Sequence, residues 1–274
     1  MILLFILLFS LSLSGMNPPP FFTVEINGAA AQGNLAQLQH LISKHGKQLD
    51  KESANVALWC ALDMRQFEAA ELLTSNCADV NVCHFDNETL LERMSSTKTG
   101  LREVAWLLAH GADPDLCAKE KIPRLAQLCR DSAGPGVLNE MILLCMHGAD
   151  PNTPTDSFGT SCLYSLIHLD DQATNKFKMI ALLIAAGADI NTPRGDGITP
   201  LHTACLIGRN KAVAYLLHKG AKKDIKDRFG KIPFDCAKYY PDIYSMLSSD
   251  ILPPMPAEAI EAEKELQKLK QKIA

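Results

Sequence analysis

His202 and Cys205 stand three residues apart in the stretch Thr199-Pro200-Leu201-His202-Thr203-Ala204-Cys205. On a helix that is one turn, the spacing at which an imidazole could serve a thiol nucleophile as general base. No third group nearby in sequence would orient the ring, and Cys205 falls on the stripe such a helix buries. Cys83 and His84 are adjacent and could be imagined on a metal. Without a second pair of ligands they make a poor zinc cage, so no metal and no cofactor is expected. The glycine-rich nucleotide signatures, HExxH and GxSxG do not occur. The nine cysteines are odd in number, form no CxxC and sit mostly in apolar runs such as ALWCALDM and MILLCMHG. A thiol there acts as a small buried hydrophobe, which points to a reducing compartment. The chain reads as a non-enzyme.

The elements that position these residues are more informative. Thr199 is a good helix N-cap, its hydroxyl accepting an otherwise orphaned backbone N–H, and Pro200 fits the first helical position. Leu201 and Ala204 turn one face inward, and His202 lies in the first turn, where its ring can tie neighbouring units. The sequence also repeats NCADVN (76–81), HGADPD (110–115), HGADPN (147–152), AGADIN (186–191) and KGAKKDI (219–225). Each follows an apolar run with the spacing of a helix that buries one face. Gly111, Gly148, Gly187 and Gly220 mark where such helices stop, because the C′ position favours a left-handed backbone. Cys77 replaces the glycine in one unit, with some expected loss of stability there.

The unit DGITPLHTACLIGRNKAVAYLLHKGA resembles an ankyrin repeat: a turn, two antiparallel helices and a loop to the next unit. The other units are degenerate versions. GTSCLYSLI places Tyr164 where His202 stands, NETLLERM places Glu92 there, GKIPFDCA places Asp235 and NVALWCAL places Trp59. A position that accepts so many types is not expected to be catalytic. The resemblance implies an all-α ankyrin-repeat solenoid of about six helix-turn-helix units over residues 27–249. AAAQGNLAQLQHLISKHG would be the N-terminal cap and FGKIPFDCAKYYPDIYSML a shortened C-terminal one. Insertions between helices are expected at 95–100, 131–136 and 169–176, either extending a binding surface or drifting as surface loops.

Bulk properties agree with a folded binding module. The 274 residues are 47% apolar and 21% charged, which excludes wholesale disorder. A net charge of −4 and a pI near 6.1 give no footprint for nucleic acid, and none is expected as a partner. Residues 1–26 begin with MILLFILLFSLSLSG and continue into a Pro-rich lead-in. The apolar run is a signal segment, a short anchor or an extension upstream of Met16; membrane contact is expected only if it is retained. Residues 250–274 are a Pro-containing linker and a charged helix from about Ala257. In it Ala262, Leu266, Leu269 and Ile273 share a face, with Glu261–Lys264 and Glu265–Lys268 as supporting pairs. That helix packs on the last repeat, pairs with a partner or frays.

The ankyrin resemblance implies protein–protein recognition along a concave surface of loops and first helices, without cofactor or reaction. The expected contacts are loop-tip residues: His84, Phe85, Lys119, Phe158, Arg194, Asp196, Arg228 and Phe229. Exposed Phe and Arg make good anchors, although a phenylalanine near a tip can also fold back on its neighbour. Lys219, Lys222, Lys223, Lys226, Arg228 and Lys231 form a basic cluster, diluted by Asp224 and Asp227: an acidic docking face or a solvated end. Asn81, Asn152 and Asn191, each with a leucine eight residues earlier, resemble the asparagine hydroxylation acceptors of ankyrin repeats; alternatively each only bonds within its turn. The expectation is a monomeric cytoplasmic scaffold or adaptor for another protein. The alternative is a secreted bacterial effector that binds a host protein, since the glutamate-rich tail resembles effector translocation signals.

Overall fold

Several first helices of this protein start at side-chain caps, and several second helices stop at glycines. The computed structural model describes residues 21–45, 51–76, 78–81, 88–96, 101–117, 122–131, 136–168, 175–249 and 251–273. The apolar segment 1–15, Cys77, Cys83, His84, Phe85 and Lys119 lie outside them. Among the described residues 15 helices form and no strand does. The chain divides into two compact units, one ending at Ala112 and one beginning at Asp113.

The first unit holds α1 (Phe21–Gln32), α2 (Leu35–His45), α3 (Lys51–Asp63), α4 (Phe67–Asn76), α5 (Leu90–Ser96) and α6 (Leu101–Ala109). Helix α1 starts ahead of Asn27, inside the segment read as lead-in. Its core is small-residue and leucine packing: Ile26, Ala30, Leu38, Leu58, Leu62, Ala69, Leu73 and Leu107 are fully buried. Each buried leucine contributes about 1.5–3 kcal/mol relative to exposure.

The second unit holds α7 (Arg124–Asp131), α8 (Val137–Met146), α9 (Cys162–His168), α10 (Lys176–Ala185), α11 (Pro200–Leu206), α12 (Asn210–His218), α13 (Pro233–Cys236) and α14 (Pro241–Ser248), then α15 (Ala257–Ile273). First helices stack as α7, α9, α11, α13, and the second helices α8 and α10, then α12 and α14, pack against one another beside them. Among the described residues the helices pair into seven hairpins, against the six or so repeats expected. Helices α8, α10 and α12 stop as the glycines require. At Gly187, for example, φ is 101° and the next N–H, from Ala188, reaches back to Leu183 O at 2.9 Å.

Three details correct the sequence reading. Trp59 lies deep in α3 rather than in a first turn, buried under the Arg93 guanidinium at 4.8 Å, because α3 begins upstream of the expected start. The expected insertions are shorter than their sequence. Ser95 and Ser96 are still helical, Asp131 ends α7, and Lys176 begins α10 with its side chain buried and its Nζ donating to Ile167 O at 3.2 Å. Finally, the tail helix α15 packs on α10, with Ala259, Ala262 and Leu266 buried. Its glutamates reach across to lysines of the repeats rather than along the helix: Glu265 to Lys178 and Glu263 to Lys219, both 2.7 Å, and Glu258 to Lys211, 2.5 Å.

Candidate functional site

The pair that opened the sequence reading is scaffold. Thr199 Oγ1 accepts the His202 backbone N–H, and the Thr199 N–H donates to His202 Nδ1 at 3.2 Å, a reciprocal cap. His202 Nε2 lies 3.1 Å from Lys231 O in the next repeat. A carbonyl only accepts, so the tautomer with its proton on Nε2 satisfies both ends of the ring. Cys205 is fully buried, and that burial, followed by the nearby Cys236, pushes its thiol up to about 12. A thiol so placed is protonated at neutral pH and is no nucleophile.

Nor does the position of His202 accept any residue at random. Glu92 Oε2 accepts the Thr89 N–H at 2.9 Å while Glu92 N donates to Thr89 Oγ1 at 3.1 Å. Asp235 Oδ2 accepts from Ile232 N at 3.0 Å. Three different side chains share one task, returning an acceptor to the start of a first helix. Tyr164 keeps only the other half, its N–H donating to Ser161 Oγ at 3.1 Å.

The loop tips of the second unit carry the expected contact residues that lie among the described ones. Asp156-Ser157-Phe158-Gly159-Thr160 and Asp227-Arg228-Phe229-Gly230-Lys231 fold into the same turn. Asp156 Oδ1 accepts from Phe158 N at 2.9 Å and Thr160 N at 3.1 Å; Asp227 Oδ1 accepts from Phe229 N and Lys231 N, both at 2.8 Å. With its aspartate turned back into the backbone, each turn carries a phenylalanine at its apex, 66% exposed at Phe158 and 73% at Phe229. Between them lies the tip Arg194-Gly195-Asp196-Gly197-Ile198, closed by Arg194 N to Ile198 O at 2.9 Å.

Backbone bonds lace the three tips together. Gly195 N donates to Phe158 O and Arg228 N donates to Asp196 O, each at 3.0 Å. The approach is close enough to exclude a side chain at Gly197, where φ is +83° and an added Cβ would fall 2.9 Å from Asp227 Cα. Arg194 is clamped on this ladder. Its Nη2 meets Asp196 Oδ2 at 3.1 Å, its Nη1 meets the Tyr164 hydroxyl at 3.4 Å, and its Cζ stands 5.7 Å from the ring centres of both Phe158 and Tyr164. Arg228 Cζ lies 5.3 Å from the Phe229 ring. Such guanidinium–ring contacts hold both partners in a defined pose at the surface. Burial acts to raise Asp156, but hydrogen bonds from Thr160 and Phe158 and the charge of Arg194 outweigh it and hold the carboxyl below its ordinary range.

Phe158, Arg194, Asp196, Arg228 and Phe229 are thereby brought together, whereas His84, Phe85 and Lys119 lie outside the described residues. Tyr164, beneath Arg194, and the exposed Tyr239 with Lys238 5.6 Å from its ring were not foreseen. The recurrence of Asp-x-Phe-Gly at 156–159 and 227–230 was the sequence signal for the paired turns. The basic cluster divides. Lys219 is paired to Glu263, and Lys223 Nζ donates to Leu247 O and Ser249 O, while Lys222, Lys226, Arg228 and Lys231 are exposed.

The three asparagines are ties between neighbouring repeats, each within one compact unit. Asn81 Nδ2 donates to Gly111 O at 2.9 Å. Asn152 Nδ2 donates to Gly187 O at 3.2 Å, while its Oδ1 accepts from Asp189 N at 2.8 Å; Asn191 Oδ1 accepts from Lys222 N at 2.8 Å.

Comparison with known proteins follows this geometry. Residues 132–237 match the family model described as ankyrin repeats (3 copies). Human ankyrin repeat and SOCS box protein 16 is 28% identical over 225 residues, 81% of this chain and 49% of that protein. A Caenorhabditis elegans homolog of transient receptor potential cation channel subfamily A member 1 is 37% identical over 92 residues, 32% of this chain and 8% of that one. Zebrafish ankyrin repeat and SOCS box protein 11 is 34% identical over 93 residues, 34% of this chain and 29% of that one. The chain therefore spans about half or less of the length of these curated relatives. Among solved structures, the ankyrin repeat domain of Bcl-3 superposes with a TM-score of 0.63 at 19% identity, covering 82% of this chain and 98% of that one.

Proposed function

Because the chain is an ankyrin-repeat protein, we propose that it is a non-catalytic scaffold or adaptor that binds a partner protein along the loop tips of its second unit. Ankyrin repeats are generally protein–protein interaction modules, and the matched relatives differ widely in the share of their length that this chain covers. The observation that carries the reading is the pair of exposed phenylalanines, Phe158 and Phe229, presented by identical aspartate-closed turns on either side of a clamped arginine. Large apolar rings held in water at fixed positions, each beside a guanidinium, are what an interface anchor requires. The turns fix the backbone that carries these rings before binding, which limits the entropy lost on association. Cys60, Cys129, Cys162 and Cys205 pack as core residues, which supports a cytoplasmic setting.

The test is affinity capture with the full chain beside a Phe158→Ala, Phe229→Ala variant whose circular dichroism and unfolding midpoint match the parent. Proteins bound by the parent and lost with the variant support the tips as the working surface. Identical captured sets would refute it.

A further inference from the structure

We infer that the tips of the second unit are built to receive an acidic, apolar-containing peptide segment of the partner, an inference that rests on the protein-binding reading above. The argument is the direction in which charge is turned. No glutamate stands between Glu140 and Glu258, so every carboxylate in that stretch sits on the short stem of an aspartate. At the three tips those carboxylates are bent back onto the molecule. Asp156 and Asp227 accept from the backbone of their own turns, and Asp196 accepts from Ile198 N at 3.2 Å while its other oxygen holds Arg194. Asp235, one turn on, caps α13 through Ile232 N.

The cations point the other way. Between Lys219 and Lys238 there are seven lysines and arginines against three aspartates, and Lys226, Arg228 and Lys231 are exposed around Phe229. Of the two exposed carboxylates in that run, Asp235 is turned back onto Ile232 N and Asp224 faces solvent. The long stems of Lys and Arg carry positive charge outward, while the short aspartates neutralise backbone donors beneath. A chain with net charge −4 therefore presents a locally positive ridge. That ridge also bears two uncovered phenylalanines. Positive charge alone would suit any polyanion, but a purely ionic ligand leaves those rings in water. A peptide with carboxylates near Arg228 and Lys231 and apolar side chains against Phe158 and Phe229 uses both features.

The experiment selects a displayed random 12-residue peptide library on the full chain, then measures chosen synthetic peptides against three proteins. These are the parent, Arg228→Glu with Lys231→Glu, and Phe158→Ala with Phe229→Ala. All the altered side chains are exposed, and a matching unfolding midpoint confirms that each variant is folded. The expected result is enrichment of Asp or Glu together with large apolar residues. Binding should weaken at least about tenfold on charge reversal and fall as salt rises from about 0.05 to about 0.3 M. Peptides without acidic enrichment that nonetheless lose binding to the phenylalanine variant would overturn the acidic class and leave the site standing. Peptides that bind all three proteins equally would overturn the site itself. Failure to enrich any peptide would overturn the peptide class, as would a 12-nucleotide single-stranded DNA binding the parent more tightly than the selected peptides.

Discussion

Two faces of the second unit use the same ingredients, aromatic rings beside lysine or arginine, in opposite states. Under the tail helix, Tyr215 is 1% exposed, its hydroxyl donates to Glu263 at 2.8 Å, and Phe177 meets it edge-on. Lys178 and Lys219 there are already paired with glutamates of α15. At the tips Phe158 and Phe229 stand in solvent; Arg194 is paired with Asp196, but Asp156 and Asp227 are committed to turns and Arg228 and Lys231 are exposed. The first face is satisfied by the chain itself. The second is held rigid and left with both charge and apolar area to offer. Aromatic content alone does not mark an interface; what matters is whether the chain has already used the group.

The difference can be broken most severely by truncating one ring on each face. Tyr215→Ala should cost about 3–5 kcal/mol of second-unit stability, whereas Phe229→Ala should stay within about 0.5 kcal/mol. Denaturant unfolding followed on a probe in the second unit reads both, since the two units need not unfold together. Comparable losses would mean that Phe229 packs as core after all.

A smaller effect sharpens how the tips are supported. Thr199→Ala removes the hydroxyl that caps α11 and should cost about 1 kcal/mol in the same unfolding assay. Smaller still are the ion pairs beneath α15. Lys219 and Glu263 are each about one third exposed, so Lys219→Ala should lower stability by no more than about 1 kcal/mol, and less in high salt. A salt-independent loss would point instead to packing of the lysine stem.

Acid should separate two aspartates with the smallest signal. The folded pKa of Asp156 is lowered, so its contribution is present above the ordinary aspartate range of about 4 and is lost as pH falls through the lower folded value. Asp115 has the opposite sign. Burial raises it first, with Asp113 and Asp150 adding and a hydrogen bond from Asp150 N opposing, so its ionised form works against folding and that penalty is relieved as pH falls. Carboxyl carbon titration by NMR should show Asp156 titrating below Asp115. The reverse order would remove the account of the tip turn.

Much of this was legible from local chemistry. Thr199, Pro200 and Gly187 announce where helices begin and end because a cap or a positive φ needs only neighbouring residues. The exposed tip positions Phe158 and Phe229, and the half-buried Arg194 between them, followed from the repeat register. What escaped depended on distant partners. Glu263 reads as one of many charges in a helix until Lys219 and Tyr215 are placed beside it, and Lys176 looks like loop until a helix start buries its stem. The shared role of Glu92, His202 and Asp235 was missed because residue type was compared instead of hydrogen-bond geometry.

The most direct measurement places the photo-crosslinker p-benzoylphenylalanine in the full chain at position 158, 229 or 260, the last being the exposed Ile260 of the tail helix. Each protein is irradiated in lysate and the adducts are resolved by mass. The account predicts discrete protein adducts at 158 and 229, the same partner at both, and little at 260. Equal or stronger adducts at 260, with none shared by the two tips, would contradict it.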